Sequence, residues 1–311
     1  MMDGRTVICI VGPTAVGKSS VAQEVACTLG GEVVSVDSMQ VYRGMDIGTA
    51  KTPPAERTCP LHMVDVAEVG DSYSVACFQR DARACVDALL ERRACAVLCG
   101  GTGLYLDAVV DEMNFPHGEL GSQARSRYEE HAERHGAESL HALLRERDPR
   151  SADEIHPHNV RRVVRALEML DQGVAYASHH EGLLKRKHHY AIRMWALTLP
   201  REELYAVIER RVDRMFELGL VDEVRELCNK GLRESPTAAK AIGYKEVLSA
   251  LDGTISMEEA RELVKRNTRR YAKRQLSWLK RDGRARWLHM DEMSIDDAAK
   301  TICDDWRACR S

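Results

Sequence analysis

With 311 residues, 44% of them apolar and 30% charged, the chain is long enough for one large core plus a smaller module, in the balance of an ordinary globular protein. It has no run of ~18 apolar residues and its N-terminus, MMDGRTVICIVG, lacks a signal-peptide pattern, so a cytoplasmic protein outside the membrane is expected. A net charge of −3 neither requires nor excludes a polyanionic partner, and ten cysteines without a C-x-x-C pair read as small buried hydrophobes rather than as zinc or disulfide chemistry.

The first third alternates strand and helix. TVICIV (6–11) is a short β-branched run that ends at a glycine-rich turn, and Lys18 to Leu29 then reads as a helix. EVVSVD (32–37) and HMVDV (62–66) read as a second and third strand, 73–93 as a periodic helix, and AVLCGG (96–101) as a fourth strand ending in glycines. Continuous apolar strands separated by helices imply a parallel sheet covered on both faces. After Met113 the pattern changes. Pro116, Gly118 and Gly121 mark a boundary, and from Ser122 to about Leu184 each segment reads as a short, charge-rich helix. HYAIRMWALTL (189–199) resumes the strand pattern, Pro200 leads into further helices, and RWLHM (286–290) is a last strand before a terminal helix. The expected fold is α/β, a P-loop NTPase-like parallel sheet. Residues 1–113 and 188–311 form its core, and 114–187 an inserted all-helical domain.

The turn after the first strand carries the sharpest motif. Gly12-Pro13-Thr14-Ala15-Val16-Gly17-Lys18-Ser19 matches G-x-x-x-x-G-K-[ST] at every fixed position, between a buried strand and a helix. Such a loop wraps backbone N–H groups around phosphate oxygens at a helix N-terminus. Lys18 adds a point charge, and the Ser19 hydroxyl is a magnesium ligand. The motif implies a bound di- or triphosphate, ATP included, without identifying it. N-K-x-D is absent, since Asn229-Lys230 is followed by Gly231-Leu232, and the fourth strand ends in Gly100-Gly101-Thr102 without a Walker-B acid.

In an open parallel sheet the C-terminal strand ends face the ligand crevice, which places Asp37 and Thr102 beside the cradle. Each has an alternative role as a turn cap or helix N-cap. On a helix over 201–218, Arg211 falls inside the apolar arc of Leu204, Ile208, Val212 and Met215. An inward arginine either closes an internal salt bridge, to Asp37 or Asp65, or clamps an anion; beside a phosphate cradle the clamp is favoured.

Between Arg261 and Arg286 eleven Lys/Arg stand against two acids, a local charge of +9 that leaves −12 on the rest. Lys265-Arg266, Arg269-Arg270 and Lys273-Arg274 recur every four residues beside an apolar stripe of Leu263, Val264, Tyr271, Gln275 and Leu279. With one sign and no interleaved acids, this ridge suits a phosphate backbone. A helix over 158–171 carries Arg161, Arg162 and Arg165 on one side. The histidines of HPHN (156–159), His179-His180 and His188-His189 lack acidic or thiol partners at metal-site spacing and read as surface or packing residues.

On these residues the chain resembles the bacterial tRNA dimethylallyltransferase (tRNA isopentenyltransferase) family, end to end. The resemblance rests on GPTAVGKS (12–19), SVDSMQVYRGMDIGTAK (35–51), GGTGLY (100–105), LHALLRERDPRSADEIHPHNVRRVVRALE (140–168), AIGYKE (241–246) and NTRRYAKRQLSWLK (267–280). Cys59-Pro60-Leu61-His62 and the segment after Gly173 depart from the family pattern.

The resemblance implies dimethylallyl diphosphate in the cradle, with Mg²⁺ on Ser19. It implies N6 of the adenosine 3′ of the anticodon in tRNA as the acceptor, flipped into a channel. By position, Asp37 is the general base and Thr102 lies near the bridging oxygen. Lys18, Ser19 with Mg²⁺ and Arg211 would neutralise the leaving pyrophosphate. Ser38, Met39 and Gln40 match the stretch that meets the acceptor base, and Arg125 with Arg161, Arg162, Val163, Val164 and Arg165 matches tRNA-contacting positions. A monomer is expected. The rival readings are a small-molecule or nucleotide kinase using ATP in the same loop, and an RNA-binding NTPase; neither explains both the missing Walker-B acid and the basic ridge.

Overall fold

The structure is a computed structural model that describes residues 6–115, 123–184 and 187–309; the boundary residues Pro116, Gly118, Gly121 and Ser122 lie outside the described residues. It divides into two compact units, Met1–Val110 with His189–Ser311, and Asp111–His188. The division begins three residues before, and ends one residue after, the 114–187 segment expected from sequence.

In chain order the elements are β1 (Thr6–Val11), α1 (Lys18–Leu29), β2 (Glu32–Val36), β3 (Leu61–His62), α2 (Val75–Glu91), β4 (Ala96–Gly100) and α3 (Gly103–Val110). The second unit holds α4 (Gln123–Arg147), α5 (Pro149–Glu154), α6 (Val160–Asp171) and α7 (Tyr176–Leu184). The chain then returns through β5 (Ala191–Thr198), α8 (Arg201–Glu217), α9 (Leu220–Cys228), α10 (Tyr244–Leu251), α11 (Met257–Leu279), β6 (Ala285–His289) and α12 (Ile295–Ala308).

Among the described residues the six strands of the sheet are parallel, in the order β3-β2-β4-β1-β5-β6. Every residue of β1 is buried because both faces of the sheet are covered. Val7, Cys9 and Val11 point into one core with Phe78, Ala82 and Val86 of α2. Ile8 and Ile10 point into the other, with Val21 and Val25 of α1 and Ile302 of α12. A period of two in side-chain direction thus becomes a continuous apolar run in sequence.

The expected third strand, 62–66, is a correction: β3 is only Leu61–His62. Met63 and Asp65 take left-handed φ values of 59° and 56°, which end an extended chain. The Asp65 carboxylate is drawn instead to Lys51 Nζ, at 2.7 Å. Buried cysteines include Cys9, Cys95 and Cys99, whereas Cys27 is exposed on α1, against its reading as a core residue; none of the ten is in a disulfide.

The second unit has its own core of Tyr128, Leu140, Leu144, Ile155, Val163, Val164 and Leu167. α4 breaks at Gly136, where φ is 84° and ψ 165°. His141 is buried, its Nε2 bonding the carbonyls of Ala152 and Ile155 at 3.0 and 2.9 Å, so it ties α4 to the end of α5. His188 and His180 do find carboxylates the sequence did not pair them with, Asp111 at 2.7 Å and Glu154 at 3.1 Å. Among the described residues no group of His, Cys, Asp and Glu is arranged to hold a metal ion, and no helix is long and apolar enough to cross a membrane.

Candidate active site

The loop between β1 and α1 is shaped by residues that leave ordinary backbone space. Ala15 and Gly17 are left-handed, with φ of 70° and 94°. Gly12 has φ 152°, and a Cβ there would lie 2.6 Å from the Leu197 carbonyl oxygen, so only glycine fits. α1 starts at Lys18 from Gly17, with no side-chain cap over its first amides. These orphan N–H groups and the helix dipole make the turn a seat for an anion.

Lys18 Nζ donates to the Pro13 carbonyl at 2.6 Å. Burial pushes its pKa down to about 8, with Cys99, Arg211 and Asp37 as the neighbouring charges. The unfolded chain would hold that proton to its usual 10.5, so burying the cation costs stability below pH 8, and the cost shrinks as pH rises across that window. An anion that needs the charged lysine has the opposite dependence. The Lys18 contribution to anion affinity, read as the difference between wild type and Lys18→Met, is therefore expected to be full below pH 8 and to fall above it, approaching about tenfold per pH unit, with proton uptake by Lys18 on binding. Titration calorimetry in two buffers of different ionisation enthalpy measures that uptake; its absence at pH 9 would remove Lys18 from the binding step.

Arg211 leaves the apolar face of α8 half-buried. Its Nη1 donates to Thr14 Oγ1 at 3.2 Å and its Nη2 to the Thr49 carbonyl at 3.5 Å. It forms no ion pair among the described residues, and Asp65, one candidate for an internal bridge, is taken by Lys51. Burial lowers the guanidinium pKa and the Asp37 charge partly restores it. A half-buried cation whose hydrogen bonds go only to neutral oxygens, with Asp37 as a nearby but unbonded countercharge, is set for an anion.

Asp37 follows the last residue of β2. Its Oδ1 accepts from the amides of Met39 and Gln40 at 2.8 and 3.4 Å, so the turn-cap role exists. That cap uses one oxygen, and Oδ2 has no hydrogen-bond donor among the described residues. Thr102 opens α3, and its Oγ1 accepts from the Ser38 amide at 3.3 Å, tying the ends of β2 and β4 together. Gln40 accepts from Ser35 Oγ at 2.9 Å and donates from Nε2 to the Thr49 carbonyl at 3.2 Å.

Two adjoining cavities meet at this point and share Lys18, Ser19 and Arg211. The inner one, about 90 Å³, is lined by Thr14, Asp37, Gln40, Tyr271 and Gln275 among others. The outer one, about 570 Å³, adds Ile47, Val207, Met215 and Leu218. The structure therefore brings the cradle, Asp37, Gln40 and Arg211 around one space, with Thr102 and Ser38 bonded beside it; Met39 packs partly into the core.

Gln275 and Tyr271, which in sequence fall within an apolar stripe, line the inner cavity as well. Gln275 is buried; its Oε1 accepts from the Thr14 amide at 2.8 Å and its Nε2 donates to the Gly101 carbonyl at 2.9 Å. It thus braces the phosphate loop against the end of β4. Tyr271 lines the same inner cavity, and its pKa is pushed up to about 12 by burial, then by Asp37. The signal was available: a polar Gln inside an apolar arc is the same anomaly that exposed Arg211.

In the helical unit, Arg161 and Arg162 are exposed. Val163 and Val164 have their side chains buried in that unit's core, where they hold α6 in place. Arg165 lies 3.6 Å from Glu168, and Arg125, with 12% of its side chain exposed, pairs with Glu129 at 3.2 Å and Glu168 at 3.9 Å.

The ridge on α11 also differs from its reading in sequence. Lys265 bonds Asp213 of α8 at 2.8 Å and Glu262 of its own helix at 3.0 Å, and Arg269 pairs with Glu209 of α8. Arg266, Arg270, Lys273 and Arg274 stay exposed and form no ion pair among the described residues.

Fold and cavity together define a class, a parallel α/β protein whose anion cradle faces a carboxylate and an unpaired arginine at the strand ends. A family model described as IPP transferase matches residues 40–282, and one described as Isopentenyl transferase matches residues 5–59. A curated tRNA dimethylallyltransferase of Carboxydothermus hydrogenoformans is 42% identical over 297 residues, 95% of each chain. Another, of Streptomyces coelicolor, is 47% identical over 284 residues, covering 91% of this chain and 89% of its own. The solved tRNA isopentenylpyrophosphate transferase of Bacillus halodurans superposes with a TM-score of 0.72 at 40% identity, covering 98% of this chain and 96% of that one. A eukaryotic dimethylallyltransferase acting on tRNA gives 0.73 at 27% identity, covering 92% and 74%. The chain belongs to the IPP transferase family.

Proposed function

We propose that the protein transfers the dimethylallyl group of dimethylallyl diphosphate to N6 of the adenosine 3′ of the anticodon in tRNA. The observation that carries this reading is the convergence of a phosphate cradle, a free carboxylate oxygen on Asp37 and an unpaired Arg211 on one cavity. The relatives' names supply tRNA and the prenyl group. A kinase reading has no observation of its own in its favour.

The diphosphate would sit on the α1 N-terminus between Lys18 and Arg211. N6 attacks the C1 carbon of the allylic group; the C1–O bond breaks and its electron pair leaves with pyrophosphate. Lys18 and Arg211 offset the charge that grows on that oxygen, an interaction stronger in the transition state than before it. Asp37 Oδ2 takes the proton lost from N6, while Oδ1 stays committed to the turn that aims it.

Ser19 lines the same cavity and offers a hydroxyl oxygen, a hard donor of the kind Mg²⁺ selects. Most of its ligands would come from diphosphate and water, and bound there it would supply further charge neutralisation to the leaving group. The deciding experiment incubates the protein with labelled dimethylallyl diphosphate, Mg²⁺ and bulk tRNA. Label should enter tRNA at that adenosine. Label left wholly soluble, with phosphoryl transfer from ATP to a small acceptor instead, would establish the kinase.

The exposed part of α11 is expected to meet the tRNA backbone. Neutralising Arg270, Lys273 and Arg274 together should flatten the dependence of log K on log salt by about 0.7–0.9 per lost phosphate contact. Neutralising Lys265 and Arg269, already paired with α8, should leave the slope nearly unchanged. Equal slopes in both variants would assign the exposed charges to solvent alone.

A further inference from the structure

Glu223, in the first turn of α9, makes contacts that surface solvation does not explain. Its Oε2 accepts from the amides of Asp46 and Ile47 at 3.1 and 2.7 Å, and its Oε1 from the amide of Gly48 at 3.2 Å. The same Oε1 takes the Tyr244 hydroxyl at 2.6 Å. One carboxylate therefore grips three consecutive backbone amides, a charge-assisted set far stronger than a loop's usual neutral bonds. Gly48 is held close for a steric reason too, since a Cβ there would stand 2.5 Å from the Tyr244 ring.

The next residue is the point of the arrangement. The Thr49 carbonyl is the acceptor for both Gln40 Nε2 and Arg211 Nη2. Lys51 pins the far end of the segment, with Nζ bonded to Asp46 at 2.5 Å and to the Tyr42 carbonyl at 3.0 Å. Glu223 itself lines neither cavity, yet it determines where the oxygen that aims Arg211 stands.

We propose that Glu223, buttressed by Tyr244, is a positioning residue for diphosphate binding: it holds 46–48 so that the Thr49 carbonyl orients Arg211 toward the cradle. This rests on the diphosphate reading of the cradle and adds to it a residue outside the cavity. The carboxylate acts through geometry: its oxygens are taken up by the amides of 46–48 and the Tyr244 hydroxyl rather than turned toward the site.

The test is a double-mutant cycle on the full chain, with inorganic pyrophosphate as the probe. Glu223→Gln keeps the size of the side chain but turns one acceptor into a donor facing an N–H. Tyr244→Phe is the milder variant and removes only the buttress. Glu223→Gln should weaken pyrophosphate binding about tenfold, Tyr244→Phe less, and neither should add to the loss already caused by Arg211→Ala, as expected for coupled residues. Glu223→Asp, which keeps the charge but shortens the reach, should not restore affinity.

Losses that simply add in the Arg211→Ala background, or affinity in the folded fraction equal to wild type, would overturn the proposal. If Arg211→Ala itself binds pyrophosphate like wild type, the diphosphate role of Arg211 fails, and the positioning role with it. A loss on Arg211→Ala but none on Glu223→Gln overturns the positioning role alone.

Discussion

Asp37→Asn is expected to lower the rate of prenyl transfer about 10²–10⁴-fold while pyrophosphate affinity holds or improves. Asparagine keeps an oxygen for the amides of Met39 and Gln40, so the turn after β2 survives. What it loses is the second carboxylate oxygen, the one free to accept a proton. Removing a negative charge beside an anion site also favours the diphosphate, which is why affinity should not fall. Asp37→Ala differs in a useful way, because it deletes the turn cap as well, at a cost of about 1 kcal/mol of stability. If asparagine transfers at nearly the wild-type rate and only alanine is impaired, Asp37 is a turn residue and the proton goes elsewhere.

Arg211→Met should reduce transfer about 10²–10³-fold through loss of a donor to the leaving group, yet leave the protein as stable as wild type or more so. The two effects share a cause. Arg211 is half-buried with neutral oxygens for hydrogen-bond partners, so its desolvation is only partly offset, by the Asp37 charge, until an anion arrives. Methionine fills the same stem volume beside Ile208 and Val212 without that cost. Thermal unfolding with and without pyrophosphate separates the contributions: the bare variant should melt no lower than wild type, and pyrophosphate should raise its melting temperature far less. A lower melting temperature with unchanged pyrophosphate stabilisation would make Arg211 a structural residue.

Three features were legible in the sequence for local reasons. The phosphate loop is one contiguous segment, and its glycines are demanded by backbone geometry at Gly12 and Gly17. Asp37 could be placed because the strand pattern ends there and parallel strands present their C-terminal ends to ligand. Arg211 could be found because helical periodicity is computable from spacing alone, and a charge in an apolar arc is an anomaly.

What tertiary structure decided is of another kind. Gln275 bonds Thr14 across 261 residues of chain, and Glu223 reaches Ile47 across 176. No spacing encodes such contacts. Beyond Glu262 the charge of α11 looks unpaired in sequence because Glu209 and Asp213, which meet Arg269 and Lys265, lie on another helix. β3 stopped early because Lys51 drew Asp65 out of the strand, a competition settled by a buried ammonium that needs its carboxylates. The sequence by itself determined which chemistry the chain carries, because loops and helix faces are short-range. Only the folded sheet decided how that chemistry is aimed, because burial forces distant polar groups to find one another or lose their hydrogen bonds.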